Sequence, residues 1–130
     1  MADSDKRRHP GLQHVAFNYE TLDDLLGTYL RLKGLGILPL WAADHGVGTS
    51  FYYEDPDQNR VELNINNYSN DWTATEYMRN SHTLGARPAA IDPEKMVTER
   101  DAGTSPWELH ERAMAGEFAP AKPFDARAHF

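Results

Sequence analysis

The sequence contains no cysteine. Disulfides, thiolate metal sites and cysteine nucleophiles are therefore excluded, and any bound metal must rely on His, Asp and Glu. No apolar run approaches the roughly 20 residues of a membrane-spanning helix, and the N-terminal stretch lacks the apolar centre of a signal peptide. A soluble, cytoplasmic protein without a membrane partner is expected. Positive charge is also scarce: 13 Lys and Arg stand against 20 Asp and Glu, a formal net charge of -7. Nucleic acid is recognised through clustered cations, so it is not an expected partner. The basic run Lys6-Arg7-Arg8-His9 reads as part of a solvated tail.

What is present fits one domain with a modest core: 130 residues, 40% hydrophobic and 11% aromatic. No internal repeat is visible. Residues 1–11 form a polar N-terminal tail that closes on His9-Pro10-Gly11. "LQHVAFNY" then reads as a strand, with Val15 and Phe17 on the face suited to packing and His14 and Ala16 on the other. "TLDDLLGTYLRLKGLG" is an amphipathic helix. Leu22, Leu25, Leu26, Tyr29 and Leu30 form its apolar stripe, Thr21 caps it, and Gly34 and Gly36 end it.

Three strands follow: "ILPLWAAD", with Pro39 requiring an edge or a bulge, then "GTSFYYED" and "RVELNIN". The turn "DPDQN" joins the last two, with Asn59 expected in its left-handed position. The order is β-α-β-β-β over residues 12–67, an α+β module. Residues 68–130 read as a helical and extended C-terminal extension. Short helices are expected in "TATEYMRN", "DPEKMVTERDAG" and "SPWELHERAMAG", with Trp72, Tyr77, Met78, Met96, Trp107 and Leu109 as packing anchors.

Alternation carries the functional reading. If Val15 and Phe17 face the helix, His14 faces away from it. If Val61, Leu63 and Ile65 face the helix, Glu62 also faces away. The two can then share one ion, provided that the first and fourth strands are neighbours. Ser50 and Tyr52 share a face assigned to the same surface, and His45 sits at its mouth. Two imidazoles and a carboxylate with open positions suit Fe(II) that binds substrate and dioxygen together. A further His shuttles protons near neutral pH, and a phenol hydrogen-bonds a bound oxygen. Taken singly, each of these residues has an ordinary explanation as strand surface or loop. His9, His82, His110 and His129 read as surface residues. Trp41, Phe51 and Tyr53 lie near the site, with their faces undecided.

Together, His45, Phe51-Tyr52, Asp55-Pro56 and Glu62 resemble the signature of type I extradiol ring-cleaving dioxygenases. These belong to the vicinal oxygen chelate superfamily, with the glyoxalases and bleomycin-resistance proteins. "LQHVAF" resembles the superfamily's metal-bearing first strand, and β-α-β-β-β is its module. The resemblance implies His14 and Glu62 as metal ligands, His45 as the acid/base group and Tyr52 as hydrogen-bond donor to a bound catecholate. The metal implied is Fe(II), with Mn, Zn or Ni as other divalent candidates. Two positions depart from the pattern: Gln58 stands where the turn usually has glycine, and Ala43 is unusual two residues before the signature histidine.

Extradiol enzymes pair two modules, and eleven residues before Leu12 are too few for a second. The missing ligand is thus expected from another chain, through a homodimer or a partner that supplies the other module. Three functions fit this pattern. The first is an extradiol-type dioxygenase acting on a catechol-like diol with Fe(II) and dioxygen. The second is a glyoxalase- or epimerase-like metal-dependent lyase or isomerase, and the third a metal-free protein that sequesters an aromatic ligand or antibiotic.

Overall fold

The computed structural model describes residues 14–68 and 88–121, with side chains from Val15 onward. Five strands form one sheet: β1 (His14–Tyr19), β2 (Trp41–Asp44), β3 (Gly48–Glu54), β4 (Arg60–Asn66) and β5 (Ala89–Ala90). Their order across the sheet is β1-β4-β3-β2-β5, with β1 parallel to β4 and the remaining pairs antiparallel. Three helices accompany them: α1 (Leu22–Gly34), α2 (Pro93–Asp101) and α3 (Pro106–Met114). The mixed α+β fold, with its β-α-β-β-β order up to Asn66, is the one expected. Among the described residues no helix is long and apolar enough to cross a membrane.

Each helix starts where its sequence supplies a cap. Thr21 Oγ1 accepts from the Asp24 amide at 3.1 Å, and Asp23 and Asp24 lie near the positive end of α1. Asp92 and Ser105 do the same for α2 and α3, each followed by Pro at the first turn. Leu22, Leu25, Leu26 and Tyr29 bury the inner face of α1 against the sheet, where the Tyr29 ring meets the edge of Phe51 at 5.8 Å. Leu30 departs from the expected stripe and is 44% exposed.

The C-terminal segment shares this core. Met96, Leu109, Ala113 and Phe118 are buried in the same cluster as Leu25, Phe51 and Leu63. A bidentate contact from Arg100 to Asp23 and an ion pair between Lys33 and Glu94 join α2 to α1 at the surface. The expected anchors Met96 and Leu109 are buried, whereas Trp107 is 46% exposed and lies over the rings of Tyr68 and His110. Trp72, Tyr77, Met78 and the helix expected in "TATEYMRN" lie outside the described residues.

Three other expectations are corrected, and one short strand is added. β2 begins at Trp41 rather than Ile37, because Pro39 has no N–H to extend the ladder. The last bond on that side runs from the Leu40 amide to the Tyr52 carbonyl, at 2.7 Å. β5, only two residues long, pairs with β2 and carries no sequence signal of its own. The face of Val15 and Phe17 is not sealed: these side chains are 42% and 54% exposed, since β1 has a partner only on its β4 side among the described residues. Finally, the left-handed residue of the β3–β4 turn is Gln58, with φ of 67°, and not Asn59. The Asp55 carboxylate accepts from the backbone amides of Asp57 and Asn59 and from the Asn59 side chain, which fixes Asn59 elsewhere in the turn.

Candidate active site

Register decides which side chains meet. Tyr52 pairs with Glu62 and Ser50 with Asn64 across β3 and β4. On the other side, Ala16 pairs with Glu62 and Asn18 with Asn64 across β1 and β4. All of these lie on the face turned away from α1, while Phe51, Tyr53, Leu63 and Ile65 enter the core. The result is a recess of about 300 Å³ lined by Asn18, His45, Ser50, Glu62 and Asn64.

Glu62 is the carboxylate of this recess. Ser50 Oγ donates to its Oε2 at 2.8 Å and Asn64 Nδ2 donates to the same oxygen at 3.0 Å. Two neutral donors therefore fix the carboxylate's orientation without neutralising its charge, which is how partners around a metal ligand commonly act. Ser50 is itself buried. Its parity with Tyr52 is legible in sequence, but its bond to Glu62 depends on the strand register.

His45 projects from the loop between β2 and β3, and its Nε2 lies 2.9 Å from Tyr52 Oη. Trp41 stacks on Tyr52 with centroids 5.1 Å apart and meets His45 edge-on at 6.0 Å. Trp41 thus belongs to the site face, and Phe51 and Tyr53 to the core. Burial pushes His45 below the ordinary imidazole value of 6.5, opposed by the Glu62 and Asp44 carboxylates. Burial pushes the Tyr52 phenol up, and the Glu62 charge adds to that. A neutral imidazole thus meets a neutral phenol near pH 7, a pair suited to passing a proton.

The loop that carries His45 is clipped from several sides. The His45 amide donates to the Gly48 carbonyl at 2.8 Å, and the Asn67 amide donates to Val47 O at 2.9 Å. Gly46 adopts φ of 90°, and a Cβ on Gly48 would stand 2.7 Å from the Ile65 carbonyl oxygen. The two glycines of "HGVG" are therefore required by the backbone.

His14 opens β1, where its backbone is in register with Arg60, two positions before Ala16. Its side chain lies outside those described. Among the described residues no three His, Asp or Glu side chains cluster as a metal cage. Among the described residues Glu62 is the one carboxylate lining the recess, and its oxygens fit a hard divalent cation as one part of a shared ligand set. His110 is not the expected surface residue: it is 8% exposed, and its Nδ1 lies 2.6 Å from Asp44 Oδ2. Nothing near His110 in sequence signals this, because the partner stands 66 residues away. His9, His82 and His129 lie outside the described residues.

Comparison with known proteins agrees with this architecture. Residues 1–63 match the family model of the Glyoxalase/Bleomycin resistance protein/Dioxygenase superfamily. Biphenyl-2,3-diol 1,2-dioxygenase 2 of Rhodococcus globerulus is 42% identical over 115 residues, which cover 87% of this chain and 60% of that protein. Biphenyl-2,3-diol 1,2-dioxygenase 3 of the same organism is 41% identical over 106 residues, 81% of this chain and 56% of that protein. The chain thus spans somewhat more than half the length of these relatives. No solved structure gives a significant match. The family match over residues 1–63, together with the β-α-β-β-β order, identifies this part of the chain with the Glyoxalase/Bleomycin resistance protein/Dioxygenase superfamily.

Proposed function

We propose that this chain serves an extradiol-type ring-cleaving dioxygenase acting on a catechol-like aromatic diol with Fe(II) and dioxygen. The observation that carries this reading is the convergence of Glu62 and His45 on one recess, with Tyr52 Oη against His45 Nε2, in a chain similar to two biphenyl-2,3-diol dioxygenases. In it, Glu62 and His14 hold the metal, His14 from the neighbouring parallel strand. The remaining coordination comes from a companion module, supplied by a second copy of this chain or by a partner polypeptide. The edge of β1, which has no partner strand among the described residues, and the exposed Val15 and Phe17 beside it support that pairing. The metal, when bound, supplies Lewis acidity and a meeting point for diol and dioxygen.

The chain's own residues do the rest. Ser50 and Asn64 hold the Glu62 carboxylate in one orientation. His45, neutral near pH 7, accepts a proton from the incoming diol. Tyr52 donates a hydrogen bond to a diol oxygen, and Trp41, stacked on Tyr52, keeps that phenol in place and screens it from water.

The test is to purify the protein without oxygen, measure its iron, and add biphenyl-2,3-diol or catechol in air. A yellow ring-fission product formed in step with dioxygen consumption is the expected result. Conversion that proceeds equally well under nitrogen, or iron-loaded protein that leaves both diols intact, overturns the reading.

A further inference from the structure

Behind the site, on the opposite side of β2, Asp44 is completely buried and occupied by three donors. The Gly46 amide donates to its Oδ1 at 2.7 Å, Asn67 Nδ2 donates to the same oxygen at 3.0 Å, and His110 Nδ1 lies 2.6 Å from its Oδ2. Asn67 is held in turn: Thr49 Oγ1 donates to its Oδ1 at 2.9 Å, and its Nδ2 also donates to the Gly46 carbonyl at 3.1 Å. Both hydrogens of Asn67 Nδ2 are thereby used. The 3.2 Å approach of that nitrogen to His110 Nδ1 is therefore not a hydrogen bond, which leaves Nδ1 to pair with Asp44 Oδ2 alone.

All of these bonds except that from Thr49 to Asn67 end on a residue that flanks His45. Asp44 precedes it, Gly46 follows it, and the Asp44 carboxylate bonds the Gly46 amide across it. The loop therefore has its orientation set from the buried side of the sheet, while His45 emerges on the other side against Tyr52. His110 comes from α3, in the C-terminal segment, where Trp107 covers it at 4.8 Å. A buried carboxylate without its donors is costly, and those donors fix where the chain on either side can go.

We propose that His110 is a positioning residue of the site: through Asp44 it locks the 44–48 loop and so holds His45 at Tyr52. The catalytic consequence rests on the function proposed above, whereas the locking of the loop does not. The helical C-terminal segment is then part of the catalytic scaffold, acting without touching substrate.

The experiment measures backbone amide exchange in the whole chain and in two variants. His110→Leu removes the donor; His110→Asn places an N–H donor where Nδ1 stood. In His110→Leu, exchange at the Gly46 and His45 amides is expected to rise by about tenfold or more, while the Phe51 and Leu63 amides of the paired strands stay within about twofold. His110→Asn restores protection. In active preparations kcat falls by about tenfold in His110→Leu with KM little changed, and recovers in His110→Asn. Unchanged Gly46 exchange in a folded His110→Leu protein overturns the proposal. So does an equal rise throughout β3 and β4, or wild-type kcat in an active preparation of that variant.

Should His110→Leu not fold, the imidazole nitrogen spectrum of the unmodified protein decides. A proton on His110 Nδ1 at neutral pH supports the lock, and a bare Nδ1 overturns it. Failure of the unmodified protein to cleave diols, with the exchange results intact, would count against the proposed function alone.

Discussion

Ser50 Oγ donates to Glu62 Oε2 across 2.8 Å, from a strand adjacent to the one that carries the carboxylate. The pair is diagonal in the ladder: Ser50 is in register with Asn64, and Asn64 donates to the same oxygen at 3.0 Å. A carboxylate held by two donors from its own sheet is preset in direction before any cation arrives.

If Glu62 is a metal ligand, the consequences can be ranked. Glu62→Ala and His14→Ala each abolish stoichiometric iron binding in protein prepared without oxygen. Ser50→Ala keeps the ligand but frees it to rotate, and iron affinity falls by about 10–100-fold. Metal analysis after dialysis against graded chelator measures all three. Stoichiometric iron in Glu62→Ala would remove Glu62 from the site.

If His45 and Tyr52 act on the proton and the substrate as proposed, His45→Ala and Tyr52→Phe are expected to retain iron and turn over more slowly, by about 100-fold for the histidine. The acidic limb of kcat/KM lies below pH 6.5, because burial favours the neutral imidazole. Stability follows with a definite sign. The folded chain takes up this proton less readily than the unfolded one, so the contribution is complete above pH 6.5 and is lost as pH falls below it toward the lowered folded value. Urea titrations across that range show the slope, and His45→Gln flattens it.

Much of this arrangement was legible in the residues. The period-2 patterns of β3 and β4 assigned Tyr52, Ser50 and Glu62 to the face away from α1, and the cap-plus-leucine pattern located that helix. Two kinds of information were not legible. Val15 and Phe17 have the pattern of a packed face, yet pattern cannot say whether a strand will sit at an edge, and among the described residues β1 does. His110 has the neighbours of a surface histidine. Its burial against Asp44 is a tertiary fact, made when α3 packs on β2 and β5. The turn misled for a similar reason: Asn tolerates left-handed backbone better than Gln, but Asp55 binds the Asn59 amide and side chain and leaves the strained position to Gln58.

That strained turn is open to improvement. A left-handed residue other than glycine costs about 1–2 kcal/mol, and glycine's extra freedom in the unfolded chain costs about 0.4–1 kcal/mol. Gln58→Gly is thus expected to stabilise the protein by about 0.5–1 kcal/mol. Chemical denaturation of the two proteins measures this, and a loss of stability would show that the Gln58 side chain contributes more than its backbone costs.

Gly48 is the opposite case. An alanine Cβ there would stand 2.7 Å from the Ile65 carbonyl oxygen, which belongs to the neighbouring strand and cannot swing aside. Gly48→Ala should destabilise by about 1–3 kcal/mol, as overpacking does, and displace the loop that carries His45. Denaturation midpoint and diol turnover are both expected to fall.

The C-terminal segment provides the last test, because its side chains share one core with the module. Leu109 is fully buried beside Ala113, Met96 and Phe118, in the cluster that contains Leu25 and Phe51. If the segment merely lay along the surface, truncating Leu109 would cost little. As a core residue, Leu109→Ala should cost about 2–5 kcal/mol, the range for removing buried leucine methyls and leaving a cavity. Since the residue after it is His110, the same change loosens α3 against Asp44. Denaturation should therefore remain one cooperative transition at lower denaturant. Two separate transitions, one for residues 14–68 and one for the segment, would show that the two parts fold independently.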